Sequence, residues 1–174
     1  MKKKIIKFGL SANEIDKAIK ILEQYKQELI RKTNLLQIKV AQRLAKLAES
    51  GFSGAVVDDF MQNGLRTADV SVDIDYERND VTVVVASGED AIWVEFGTGV
   101  HYNGSVGTSP HPKGSELGFT IGTYGKGMGK RDVWGFTDDE GFHLTHGAPA
   151  VMPMYNAVKL VSDEIVEIAR EVFG

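Results

Sequence analysis

Glu95 stands among large apolar residues in Ala91-Ile92-Trp93-Val94-Glu95-Phe96 and is followed at once by Gly97-Thr98-Gly99. A carboxylate in such a setting, next to a glycine turn, could act as a general acid or base. The chain has four histidines, His101, His111, His143 and His146. His143 and His146 are three apart, a spacing that on a helix could present two imidazoles to zinc. The enzymatic reading is therefore a small metal-dependent or carboxylate-based hydrolase using Glu95 with His143 or His146. The pair lies beside Gly147 and Pro149, however, in a predicted strand or turn, where residues i and i+3 face opposite ways. No H-E-x-x-H pattern is present. A glutamate of this kind more often pairs with a neighbour or faces solvent. The expectation is that the chain is not an enzyme and carries no metal and no cofactor.

Other chemistries are weaker. Gly122–Lys130 suggests a phosphate loop, but the G-x-x-x-x-G-K-[ST] pattern fails: Tyr124 stands where its first glycine belongs, and Arg131 replaces the hydroxyl residue. Gly125-x-Gly127 is followed by Lys130, so the dinucleotide pattern fails as well. No serine sits in a G-x-S-x-G elbow. The absence of cysteine excludes disulfides and thiolate chemistry, and a reducing compartment is the default. Trp93, Trp134 and Phe136 could stack on bases, but strand aromatics are more often core residues.

These residues sit on a chain of 174 residues, enough for one core-bearing domain. No apolar run approaches a membrane span. The net charge of −4 divides unevenly: residues 1–50 hold 12 Lys/Arg and 5 Asp/Glu, leaving an acidic body of 8 and 19. A basic arm on an acidic body suits self-association. Residues 1–10, with Lys2, Lys3, Lys4, Ile5, Ile6, Lys7 and Phe8, form that arm, readable as a solvated tail, an edge strand or a docking arm.

Ser11 with Glu14 reads as a capping box. Ile15, Ile19, Leu22, Leu29, Leu36, Val40, Leu44 and Leu47 then recur at helical spacing up to Gly51, which reads as the stop. An unbroken helix over 11–50 would be about 60 Å long, more than one small body can cover; a break near Arg31–Asn34 is the alternative. Phe52–Asn63 predicts a second helix ending at Asn63-Gly64. Val70–Tyr76 and Val81–Val85 alternate as a β-hairpin, and Ile92–Phe96 alternates as a third, meander strand. Residues 97–147 carry 13 of the 19 glycines, with short β-like pieces at Phe119–Thr123, Val133–Phe136 and Phe142–Leu144. The stretch 100–141 reads as a long glycine-rich loop, basic around Tyr124, Lys126, Lys130 and Arg131. After Pro149 and Pro153, Met154, Val158, Val161, Ile165, Ile168 and Val172 predict a terminal amphipathic helix. The expected class is α+β: a long first helix, an antiparallel sheet from the hairpin or meander plus short strands, and a last helix packed on the sheet.

Three of these motifs, in this order, resemble one family. Asn63-Gly64-Leu65-Arg66 resembles its T-G-x-L step, with Asn63 in the threonine position. Val94-Glu95-Phe96-Gly97-Thr98-Gly99 resembles its central motif, and Gly147-Ala148-Pro149-Ala150-Val151-Met152-Pro153-Met154 its G-x-P-A-x-P-F-M element. The family is the neck or tail-completion proteins of long-tailed bacteriophages, the Hong Kong 97-type gene-ten family to which the lambda tail-completion protein Z is related. The likeness spans residues 11–174 as a single neck-protein domain. The proline usual before the T-G step is absent, and loop 100–141 is long.

The resemblance implies a structural virion protein of the head-to-tail connector, made in the host cytoplasm. It would form an oligomeric ring, expected to be hexameric, that joins head and tail. The ring would contact other connector proteins and the tail-terminator or tail-tube proteins. Genomic DNA would pass through without sequence-specific binding, and no membrane would be involved. Ile15, Ile19, Leu22, Leu29 and Leu36 would then face neighbouring subunits. Glu95, Phe96, Gly97, Thr98, Gly99, Gly147, Pro149 and Pro153 would fix the loop root. Tyr124, Lys126, Lys130 and Arg131 would meet an adjacent ring.

Overall fold

A computed structural model describes residues 7–59, 64–78, 81–98, 101–102, 105–106, 109–120, 134–139 and 141–174. Helix α1, Ala12–Ser53, runs unbroken for 42 residues, about 63 Å at the usual rise. Strands β1 (Val56–Asp59) and β2 (Gly64–Thr67) follow, then β3 (Ser71–Arg78) and β4 (Val81–Ser87). Helix α2 is Ala91–Phe96; β5 (His101–Tyr102), β6 (Ser105–Val106), β7 (Trp134–Asp138) and β8 (Gly141–Thr145) lead to α3, Pro153–Phe173. Among the described residues the strands pair consecutively, in four antiparallel two-stranded ladders. The class is α+β, with the long first helix and the last helix where the periodicity put them.

Helix α3 runs antiparallel along the second half of α1. Pro153 lies against Gly51, Glu164 forms a two-pronged ion pair with Arg43 (2.8 Å for each bond), Glu171 pairs with Lys39 at 2.8 Å, and Phe173 reaches Lys32. Hairpin β3–β4 also packs on α1. Phe52, Ala55, Val57, Val94 and Ala148 form the core cluster, with Val70, Val72, Ala86 and Met154 against it. Helix α3 ends at Lys32, so twenty residues of α1 project past it.

Several expectations change. Gly51 does not stop the first helix. A Cβ there would sit 2.8 Å from the Pro153 Cβ, so glycine serves close approach of the two helices, and the backbone stays helical to Ser53. No break occurs at Arg31–Asn34. Phe52–Asp59 is not a second helix: after the Gly54 cap, Val56–Asp59 extends and pairs with Gly64–Thr67. Two adjacent β-branched valines favour that outcome. Ser11 makes no reciprocal box; its hydroxyl donates to the Glu14 carboxylate at 2.5 Å, while its carbonyl accepts the Glu14 and Ile15 N–H groups. Phe119 and Thr120 follow a turn and belong to no strand, and residues 121–123 of that expected piece lie outside the described residues. Ile5, Ile6, Phe60–Asn63, Gly99, Tyr124, Lys126, Lys130, Arg131 and Val133 lie outside the described residues.

The largest change concerns Ala91–Phe96, which is helical rather than a third strand. Its alternation spans only five residues, too few to separate the two periods. Val94 and Glu95 are neighbours and both buried, at 1% and 7% exposed. A strand would send them to opposite faces; one turn of helix sends both inward. The turn is seeded by Asp90, whose carbonyl accepts the Val94 N–H at 2.9 Å.

Candidate functional site

The Glu95 carboxylate is the centre of the best-built polar cluster. Its Oε2 accepts the Met154 N–H at 2.8 Å and its Oε1 the Tyr155 N–H at 2.9 Å. These are among the N–H groups that a helix start leaves unpaired. Pro153, the first residue of α3, has no N–H, and Met152 before it cannot cap with its side chain. Glu95 therefore caps α3 from another helix, where an anion meets both free N–H groups and the positive helix end. Met152 takes a left-handed conformation, φ 57° and ψ 47°, uncommon for a side chain of its size. Val94 holds it there: its carbonyl accepts Val151 N–H at 2.9 Å and Met152 N–H at 3.4 Å.

His111 joins from the segment between β6 and β7. Its Nε2 is 3.3 Å from Glu95 Oε1, and its Nδ1 accepts the Lys113 N–H at 3.0 Å. Nδ1 as acceptor carries no proton, which makes Nε2, on the Glu95 side, the ring's N–H. The ring lies between Phe96, 4.3 Å away, and Tyr155, 5.3 Å away, centroid to centroid. Phe119 stacks on Phe96 at 4.5 Å and meets Trp93 edge-on at 6.1 Å. The Ser109 hydroxyl donates to the Phe96 carbonyl and accepts the His111 N–H at 3.2 Å. Residues 109–119, expected as unanchored loop, are thus packed on α2.

Thr98 completes the junction, its N–H donating to the Ala148 carbonyl at 2.8 Å. Gly97 makes the exit from α2 at φ 76°, a conformation glycine adopts without strain. The structure so brings together Glu95, Phe96, Gly97, Thr98 and the segment from Ala148 through Pro153 to Tyr155.

Two further polar ties flank it. Arg66 grips the buried Asp90 carboxylate with two bonds, of 2.6 and 3.1 Å, and the Asp69 N–H donates to the same group at 2.7 Å. His146 pairs with Asp58 through Nδ1 at 2.7 Å and its own N–H at 3.0 Å. The Thr145 hydroxyl donates to the Asp58 carbonyl at 2.6 Å. His143 is buried on β8.

Chemically, this is a clip. Glu95 is partnered by His111 and two backbone N–H groups, and His146 by Asp58. Among the described residues, no three His, Asp or Glu side chains converge to hold a metal ion, and no helix is long and apolar enough to cross a membrane. Sequence reasoning missed His111, sixteen positions from Glu95, and the Arg66–Asp90 pair. No local spacing links them. The one available signal was Pro153, which marks a helix start, where the N–H groups of the next residues need acceptors from elsewhere. No protein-family model, curated protein or solved structure matches the chain.

Proposed function

We propose that this chain is a structural subunit of the head-to-tail connector of a long-tailed bacteriophage, a neck or tail-completion protein that works as an oligomeric ring. The observation that carries the self-assembling part is an exposed apolar stripe on the first half of α1. Ile15, Ile19 and Leu22 are 39%, 47% and 53% exposed, on a segment that extends past the end of α3. From Ile15 to Leu36 the stripe steps by 4, 3, 4, 3, 4 and 3, with only Lys26 and Thr33 polar. That is the spacing of a helix seam that packs on another helix. The virion assignment is supported by the resemblance of three ordered segments. Two of them, 94–98 and 147–154, meet at the Glu95 clip, as parts of one working element would.

In this reading Glu95 positions the start of α3 and residues 109–119. The long segment through Lys126, Lys130 and Arg131 meets an adjacent ring. The subunits use the α1 stripe on one another, and DNA passes along an acidic body without specific contacts.

The test is assembly. Purified chain examined by light scattering and electron microscopy, alone and with connector partners, should form rings. Replacing Ile15, Ile19 and Leu22 together by serine should abolish them while leaving the folded spectrum intact. Deleting residues 104–130 should block the joining of heads to tails. Infectious particles of normal yield from both variants would overturn the reading. Turnover lost on Glu95→Gln with α3 still docked would favour the hydrolase instead.

A further inference from the structure

Strand β4 has an edge that pairs with no other strand among the described residues. It pairs with β3 on one side only, and its other edge meets no strand. Its sequence, Val81-Thr82-Val83-Val84-Val85, has neither charge nor proline nor glycine. Soluble proteins normally blunt such edges with charge, proline or a bulge. The one irregularity of the hairpin falls near its tip, between Asp75 and Arg78. On the face turned from α1, Val81, Val83 and Val85 are exposed, and two of them stand opposite Asp73 and Asp75 on β3. The outer face is therefore an apolar row beside an acidic row. From Ser71 to Ser87 the charge is −3, from Asp73, Asp75, Glu77 and Asp80 against Arg78.

One segment of this chain has the complementary chemistry. Residues 2–8, Lys-Lys-Lys-Ile-Ile-Lys-Phe, carry a charge of +4 and include two isoleucines and a phenylalanine. The base of their own hairpin is out of their reach. The hairpin base, at Val72 and Ala86, packs beside Phe52, whereas the arm starts at Ser11, about 60 Å away along α1. Ten extended residues reach about 34 Å. A hairpin of another copy has no such constraint.

We infer that residues 2–8 of one copy add as a strand to the free edge of β4 in a second copy, with their lysines beside Asp73 and Asp75 and their apolar side chains on Val81, Val83 and Val85. The alternative of two β4 edges pairing with each other would bring two acidic hairpins together. The arm instead meets opposite charge and supplies main-chain partners, the general mode of strand addition. The inference rests on the self-assembly part of the proposed function and is independent of its role in a virion.

The chain has no cysteine, so cross-linking needs no background removed. Full-length Ile6→Cys protein is mixed in turn with Val81→Cys, Val83→Cys and Val85→Cys protein and oxidised, with Lys46→Cys as the exposed control on α1. Facing residues in paired strands have Cβ atoms about 5 Å apart, close enough for a disulfide to form. At least one valine partner should give a mixed disulfide several-fold above the control. That product should be lost when Asp73→Lys and Asp75→Lys are added, and should weaken with salt. A yield no higher than the control at the highest attainable concentration overturns the inference. The mass of the wild-type chain under the same conditions separates the two ideas. Oligomers without the cross-link remove the arm and leave assembly standing; monomers without it remove both.

Discussion

The two halves of α1 share a period but not a vocabulary. Where the helix is covered, its buried contacts are Ala41, Ala48 and Phe52, with Gly51 pressed on Pro153. Small residues let α3 and the hairpin come close. Past the end of α3, Ala18 is buried too, but the stripe is built of Ile15, Ile19 and Leu22, large side chains left 39%, 47% and 53% exposed. A helix meant only to end in solvent would have no use for them, since exposed apolar rows favour association. The difference teaches that one helix performs two tasks, cementing its own domain at one end and offering a seam at the other.

The sharpest way to break the comparison is to place the same charge on each half. Ala48→Glu puts an unpaired carboxylate at a site with no solvent exposure. It should destabilise the monomer by more than about 4 kcal/mol in urea denaturation. Ile19→Glu should change monomer stability by no more than about 0.5 kcal/mol, while association is lost. Equal losses from both would mean that the first half is covered after all.

Gly51→Ala sharpens the close-packing claim, because propensity and packing predict opposite signs. Alanine is the better helix former by about 1 kcal/mol. The clash with Pro153 should nevertheless produce a net loss of about 1–2 kcal/mol, read from the denaturation midpoint. A gain would show that α3 can withdraw without cost.

Glu95→Gln tests the clip that anchors the covered half. The amide can accept only one of the two N–H groups and turns a donor on the other. A loss of about 1–3 kcal/mol is expected, with faster hydrogen exchange at Met154 and Tyr155. Unchanged exchange there would mean that the cap is dispensable.

The smallest effect belongs to the helix-to-helix ion pair. The hydrogen bond from the Arg43 guanidinium holds the Glu164 carboxyl below the ordinary carboxylate range. A carboxyl whose folded pKa is depressed contributes stability above its unfolded pKa and loses it as pH falls through the folded value. Wild type should therefore exceed Glu164→Gln in stability at neutral pH, and the gap should close in acid. A gap that stays constant down to strongly acidic pH would show that the charge is not involved.

Much of the architecture was legible because it depends on long repeats. Ile15 through Leu47, and Met154 through Val172, hold a helical period over enough turns to exclude a strand. Val70–Tyr76 with Val81–Val85 holds a period of two on both sides of a turn, and that hairpin is present. Ala91–Phe96 failed for lack of length: six residues fit either period, and the choice fell to burial of both Val94 and Glu95 against distant segments. Val56–Asp59 was misassigned because its neighbour Phe52 belongs to a helix that runs two residues past an apparent stop.

What the residues alone determined was therefore local and repetitive: the two long helices, the hairpin, the basic arm and acidic body, and the lack of thiol chemistry. What only the tertiary structure decided was who meets whom. Glu95 became a cap because the first turn of α3 leaves the Met154 and Tyr155 N–H groups without helical partners and folding carried them to it. His111 became its neighbour across sixteen residues, and Gly51 turned from a stop into a contact. Periodicity is written residue by residue along the chain, whereas desolvated hydrogen bonds and close approaches exist only once remote segments have been brought together.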